Sequence, residues 1–304
     1  MKIRILVLLL SLVTLSCENS DDSRNSNSNS QFSQNFGQSA QRDFMGQIVD
    51  ENNNPIENAL VKIGSNHVNT DVNGVFILKN AEVFEKFAHI KVQKIGFIDG
   101  SRSLVPTQGM NQVKIMMIAN APVATVSSNQ LSEVSLPNGT KINFDGYFED
   151  EDGNAYSGSV SVFAYHLERS NSNLTNLMPG MLFAEAEDGS PKVLQTFGML
   201  NVELKGSSGE KIQIANNHTA KISMKIDDTQ LATAANSIPL WHFDEENGYW
   251  KEEGEATRQG DYYVGNVSHF SWWNVDAYQS MTTLNVTVVD ADNNPLPNLG
   301  ISLT

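Results

Sequence analysis

The phrase "NVSHFSWWN", residues 266–274, places a His and a Ser on either side of a single Phe. A Ser hydroxyl can attack the carbonyl of the residue before it, moving the acyl group from nitrogen to oxygen. The ester left behind is cut by water far more easily than the amide. In this chain His269 would act as the base, Ser271 as the nucleophile, and Phe270-Ser271 would be the bond cut. A strained peptide at a tight strand-to-strand turn would lower the barrier further. The competing reading is one strand of an ordinary core, with Val267, His269 and Ser271 on one face and Ser268, Phe270 and Trp272 on the other.

Other residues offer binding rather than reaction. The four tryptophans, Trp241, Trp250, Trp272 and Trp273, are close in sequence, and Trp241, Trp250 and Trp272 are candidates for stacking on sugar rings. Adjacent residues on a strand point to opposite faces, so Trp272 and Trp273 cannot join one platform, and core packing accounts for at least two of the four. "EDEDGN" (149–154) and "DEENG" (244–248) gather hard oxygen ligands around a Gly, which makes Asp150 and Asp152 candidates for calcium. The twelfth position counted from Asp150 is Ser161 rather than Glu, so the spacing is not that of an EF-hand. Asp-Gly between strands is equally a hairpin turn, and no metal is expected.

The sequence holds no His-Glu-x-x-His, no Gly-x-Ser-x-Gly, no phosphate-binding Gly loop and no pair of cysteines. No cofactor is expected, and no enzyme activity beyond self-cleavage at Phe270-Ser271. With 20 Lys and Arg against 35 Asp and Glu, the net charge of −15 argues against nucleic acid as a partner.

The elements that must carry these residues read as β. Runs such as "FMGQIVD", "ALVKIG", "GVFILK" and "VKIMMIA" are short, rich in Val and Ile, and separated by turn residues. The expected fold is all-β, with tandem β-sandwiches at 43–120 and 121–279 after a signal segment (1–16) and a disordered tether (17–42). The tether is rich in Ser, Asn and Gln and has almost nothing to bury. "DDTQLATAAN" (227–236) is the one candidate helix of the larger domain.

"VDENNNPIENALVKI" (49–63) aligns without gaps to "VDADNNPLPNLGISL" (289–303), so 280–304 reads as the start of a second copy of the first module, expected to continue past Thr304. At the other end, Lys2 and Arg4 precede an apolar run from Ile5 to Leu15, shorter than a membrane span.

Several resemblances follow from these residues. Val13-Thr14-Leu15-Ser16-Cys17 resembles the lipobox of bacterial lipoproteins, with Thr14 where Leu is usual. It implies lipidation of Cys17, a membrane partner through that anchor, and an outer-membrane address on the cell surface or the periplasmic face. Glu18, Asp21 and Asp22 resemble surface-export signals. Gly46, Asp50, Pro55, Ala59, Val61, Thr70-Asp71, Gly74 and Phe76 resemble the carboxypeptidase regulatory-like domain, a seven-stranded transthyretin-like sandwich without catalytic residues.

Leu136-Pro137-Asn138-Gly139-Thr140, Phe197-Gly198-Met199, Pro239-Leu240-Trp241 and the Ser268–Asn274 stretch resemble the β-domain of cartilage intermediate layer protein. The His-Phe-Ser frame is also similar to the cleavage site of adhesion-receptor domains, though it lacks their cysteines. The function these imply is a non-catalytic surface module engaging a protein or glycan. The alternatives are a self-cleaving module and a glycan-binding accessory of polysaccharide uptake.

Overall fold

The structure, a computed structural model, describes residues 32–280 and 286–294. The signal segment, Cys17, most of the tether and the strand expected after Pro295 lie outside the described residues. Among those described, no helix is long and apolar enough to cross a membrane.

The first sandwich packs the strands Val75–Phe84, Ser39–Asp50 and Met110–Met117, in that spatial order, on a second sheet. That sheet runs Asn66–Asn69, Leu60–Ile63, Ala88–Gln93 and Gly100–Leu104. The seven expected strands are present. Phe44, Ile48, Val61, Phe76, Ile90 and Ile115 fill the space between the sheets. At Gly46 a Cβ would sit 2.5 Å from the Phe76 ring and 2.7 Å from the Val113 carbonyl oxygen, so a bare backbone is what lets Phe76 lie across the central strand.

The second domain, from Ala124 to Ser280, joins fourteen strands in one sheet that folds over its own core. Its longest strand, Pro191–Lys205, pairs with Ser159–Leu167 on one side and Trp272–Ser280 on the other.

A third apolar cluster joins the two units. Val49, Ile98, Met116 and Ile118 of the first pack against Leu177, Trp241, Phe243, Trp250 and Trp272 of the second. This explains two uninterrupted apolar runs in the sequence. Ile48 and Val49 are both buried, as are Ile115 to Ile118, because one face of each strand meets its own sandwich and the other meets the neighbour. Polar ties reinforce the seam. Arg102 Nη1 donates to the Gly180 carbonyl at 3.2 Å, its Nη2 donates to Thr175 O, and Lys91 pairs with Glu246 at 2.6 Å.

Two expectations are corrected. The tether does not extend to residue 42, because Phe32 and Phe36 are buried against Phe87 and Tyr249 and the first strand starts at Ser39. Residues 227–236 form hydrogen-bonded turns rather than a helix, with the Asp227 carboxylate accepting from the Thr229 amide and from Ser170 N. The short helix of this domain is instead Leu174–Leu177, held by two buried leucines.

Candidate functional site

His269-Phe270-Ser271 is not inside a strand. The strand Tyr262–Val267 ends before it and Trp272–Ser280 begins after it, so the tripeptide forms the corner between them. The corner is fixed on all sides. Phe270 N–H donates to Gln213 Oε1 at 2.9 Å, and Gln213 Nε2 donates back to the Phe270 carbonyl at 3.1 Å. The Phe270 ring is buried edge-on against Phe144, and Trp273 Nε1 donates to the His269 carbonyl at 3.0 Å.

The two groups needed for self-cleavage are turned apart. Ser271 Oγ donates to Trp272 O at 3.2 Å, whereas His269 Nε2 meets Glu253 Oε2 at 3.2 Å. One donor, Gln213 Nε2, does sit on the carbonyl oxygen where negative charge would develop.

Glu253 is the centre of a group that sequence spacing did not bring together. His242 lies on the strand Ser237–Asp244, and Glu253 on its partner Tyr249–Gln259. The register jumps from Pro239 opposite Glu255 to Trp241 opposite Glu252, so Glu253 and Gly254 face Leu240 as a bulge. Gly254 takes φ 82° there, and such a bulge re-aims the side chain beside it. Glu253 Oε2 ends 3.5 Å from His242 Nε2 as well as 3.2 Å from His269 Nε2, and Ser268 Oγ donates to Oε1 at 2.8 Å.

The side chains of His242, Glu253 and His269 are 19, 40 and 35% exposed. The His269 hydrogen bond holds the Glu253 carboxyl down at about 2, and burial lowers His242 to about 4. The two imidazoles stand nearly perpendicular, 4.9 Å apart, over the Trp273 indole.

On the far side of the corner, a cleft of about 760 Å³ opens between the sandwiches. Gln93, Lys94 and Asp99 line it from the first unit; Glu203, Lys211 and Gln213 line it from the second, with Phe270 and Ser271 in its wall. Ile95 stands fully exposed at its edge.

The remaining candidates fall elsewhere. Trp241 and Trp250 are 0% exposed and Trp272 is 3%, all three in the seam, so none offers a ring face to a sugar. Trp273 points the other way, into the second domain's own core, as alternation requires. The Asp150 carboxylate accepts from the backbone amides of Asp152 and Asn154 and from Asn154 Nδ2, which closes a turn. Asp50 and Asp290 make the same set of bonds to residues two and four further on, so one turn chemistry serves all three positions.

Sequence reasoning also passed over His166. Its Nδ1 contacts Asn138 Nδ2 at 2.6 Å and Thr140 Oγ1 at 2.8 Å, and a Cβ on Gly198 would fall 2.6 Å from its Nε2. Two phrases far apart in the chain, Leu136–Thr140 and Phe197–Met199, thus close on one buried imidazole, which burial lowers to about 4.

No known family profile matches the chain. Among solved structures, a Bacteroides fragilis protein described as membrane-associated and of unknown function aligns with 80% of this chain and 99% of its own, at 10% identity and a TM-score of 0.24. A Bacteroides uniformis protein described as carbohydrate-binding aligns with 75% of this chain and 98% of its own, at 10% identity and a TM-score of 0.22. In sequence, the chain is 27% identical over 141 residues to cartilage intermediate layer protein 2 of Mus musculus, a stretch that takes in 46% of this chain but 11% of that much longer relative.

Proposed function

We propose that this chain is a lipid-anchored surface protein that uses the cleft between its two sandwiches to hold an extended protein or glycan ligand, without turning it over. The observation that carries the reading is the seam beneath that cleft. A continuous apolar cluster and the Arg102 bonds hold the two walls in one relative position, so the cleft is preformed and a ligand need not order it. Its amides, carboxylates and lysines suit hydroxyl-rich or peptide ligands, which need many polar partners along their length.

In this reading the first unit is a carboxypeptidase regulatory-like sandwich used as a spacer, and acylated Cys17 ties the protein to the outer membrane. The test is a glycan and peptide array probed with the full mature chain, repeated with Gln93→Ala and Lys211→Ala. A ligand whose binding weakens by about tenfold in both variants supports the reading. A ligand that binds both variants as tightly as the unaltered chain overturns it. Labelled fatty acid incorporated into the protein, and lost in Cys17→Ala, checks the anchor.

A second reading, self-cleavage between Phe270 and Ser271, draws on one observation, the Gln213 Nε2 donor at the Phe270 carbonyl. It requires His269 to leave Glu253 and turn toward Ser271. An intact-mass measurement decides it. A break after Phe270 that disappears in Ser271→Ala supports cleavage, and an unbroken chain sinks it.

A further inference from the structure

We infer that His242, Glu253 and His269 form a binding site for a zinc-class divalent cation, on the solvent side of the corner. The three candidate ligand atoms all lie within 4.8 Å of one another. In a tetrahedral zinc site with bonds of about 2.0–2.2 Å, neighbouring ligand atoms stand about 3.3–3.5 Å apart. The two distances to Glu253 Oε2, 3.2 and 3.5 Å, fall within about 0.1 Å of that range. Only the separation of the two imidazole nitrogens, within 4.8 Å, has to close.

Hydrogen bonding alone accounts for the group less well. Glu253 Oε2 is shared by two imidazoles, and the His242 contact at 3.5 Å is long for a hydrogen bond. A cation at the centre satisfies all three groups at once.

The surroundings match what metal sites require beyond their ligands. Ser268 Oγ holds the other carboxylate oxygen at 2.8 Å, which fixes Oε2 toward the histidines. Trp273 walls one side, 5.8 Å from the His242 ring and 5.1 Å from the His269 ring, and its Nε1 pins the His269 carbonyl. The bulge at Glu253-Gly254 is the device that aims the carboxylate at this point. Two imidazoles and one carboxylate select zinc, cobalt, nickel or copper over magnesium and calcium, which prefer all-oxygen shells.

The partial exposure of all three residues leaves a fourth position open to water or to a ligand group. The ion would staple the paired strands 237–244 and 249–259 to the corner. A metal-bound His269 imidazole carries a proton on its other nitrogen and has no free lone pair to act as a base toward Ser271, so a loaded site and self-cleavage exclude one another.

The test is titration of the metal-stripped full chain with Zn²⁺ by calorimetry, with Co²⁺ absorption as an independent readout of nitrogen and oxygen ligation. The expected result is one ion per chain, a raised melting temperature, and no competition from Ca²⁺ or Mg²⁺. Zinc affinity should fall at least about 100-fold in His242→Gln, Glu253→Gln and His269→Gln, and about tenfold in Ser268→Ala. His67→Gln, at an exposed position, should leave it unchanged. If a ligand variant fails to fold, the other two and Ser268→Ala carry the result. Absence of saturable zinc binding by the folded unaltered chain overturns the inference, as does unchanged affinity in the ligand variants.

Discussion

At the scale of single residues, the second domain rests on buried groups that tolerate little change. Gly198 stands at φ 128° against the His166 imidazole. Gly198→Ala should cost about 2 kcal/mol, from backbone strain together with a clash against a fixed ring, read by urea unfolding. His166 and His89 are both held near 4 by burial, His89 with Lys91 adding to the effect. Their folded pKa values lie below the unfolded value of about 6.5, so the folded state binds fewer protons. Their contribution to stability is therefore full above pH 6.5 and is lost as the pH falls toward 4, by about 3 kcal/mol for each shift fully expressed. Urea midpoints measured from pH 7 to pH 4 should drop, and His166→Gln should flatten part of that slope. A midpoint that does not change across this window would contradict the buried, neutral imidazoles.

At the scale of elements, two glycines decide what their strands can do. Gly46 leaves room for Phe76 across the centre of the first sandwich. Gly46→Ala should cost about 1–3 kcal/mol by overpacking, and Gly46→Ala combined with Phe76→Leu should recover part of it. Gly254 has open space around it, so Gly254→Ala meets strain and no clash. That substitution should lower stability by about 1 kcal/mol while shifting the Glu253 carboxylate, seen in the nuclear magnetic resonance signals of His242 and His269. Unshifted histidine signals would mean that the bulge does not set the carboxylate's position. The three Asp-x-x-x-Asn turns show an element whose chemistry is local. Each is written in five consecutive residues, and each reads the same way in sequence and in space.

At the scale of the whole molecule, the seam makes the two sandwiches one unit. Trp250 lies at its centre, so Trp250→Ala should destabilise by about 3–5 kcal/mol. Calorimetry of the unaltered chain should give a single unfolding transition, and Trp250→Ala should split it into two. Two transitions in the unaltered chain would show that the seam does not couple the units, and the preformed cleft would lose its basis. The net charge of −15 belongs to this scale as well, since like-charge repulsion over the whole surface disfavours anionic partners.

Local pattern was enough for much of this protein. Alternating Val and Ile runs between Asn, Asp and Gly turns specify strands and hairpins, because neighbouring residues alone set those conformations. The all-β class, five strands of the first unit and the opposite aim of Trp272 and Trp273 follow from that. What depends on the packing of distant segments was not legible. Whether Trp241, Trp250 and Trp272 face solvent or a seam depends on the first sandwich, more than a hundred residues away in the chain. Whether Phe32 and Phe36 belong to a tether or a core depends on Phe87 and Tyr249. His242, Glu253 and His269 meet only through strand register and one bulge, and no spacing rule encodes either of these. The sequence singled out His269-Phe270-Ser271 as the place for chemistry. The tertiary structure decided its direction, by turning His269 away from Ser271 and toward Glu253.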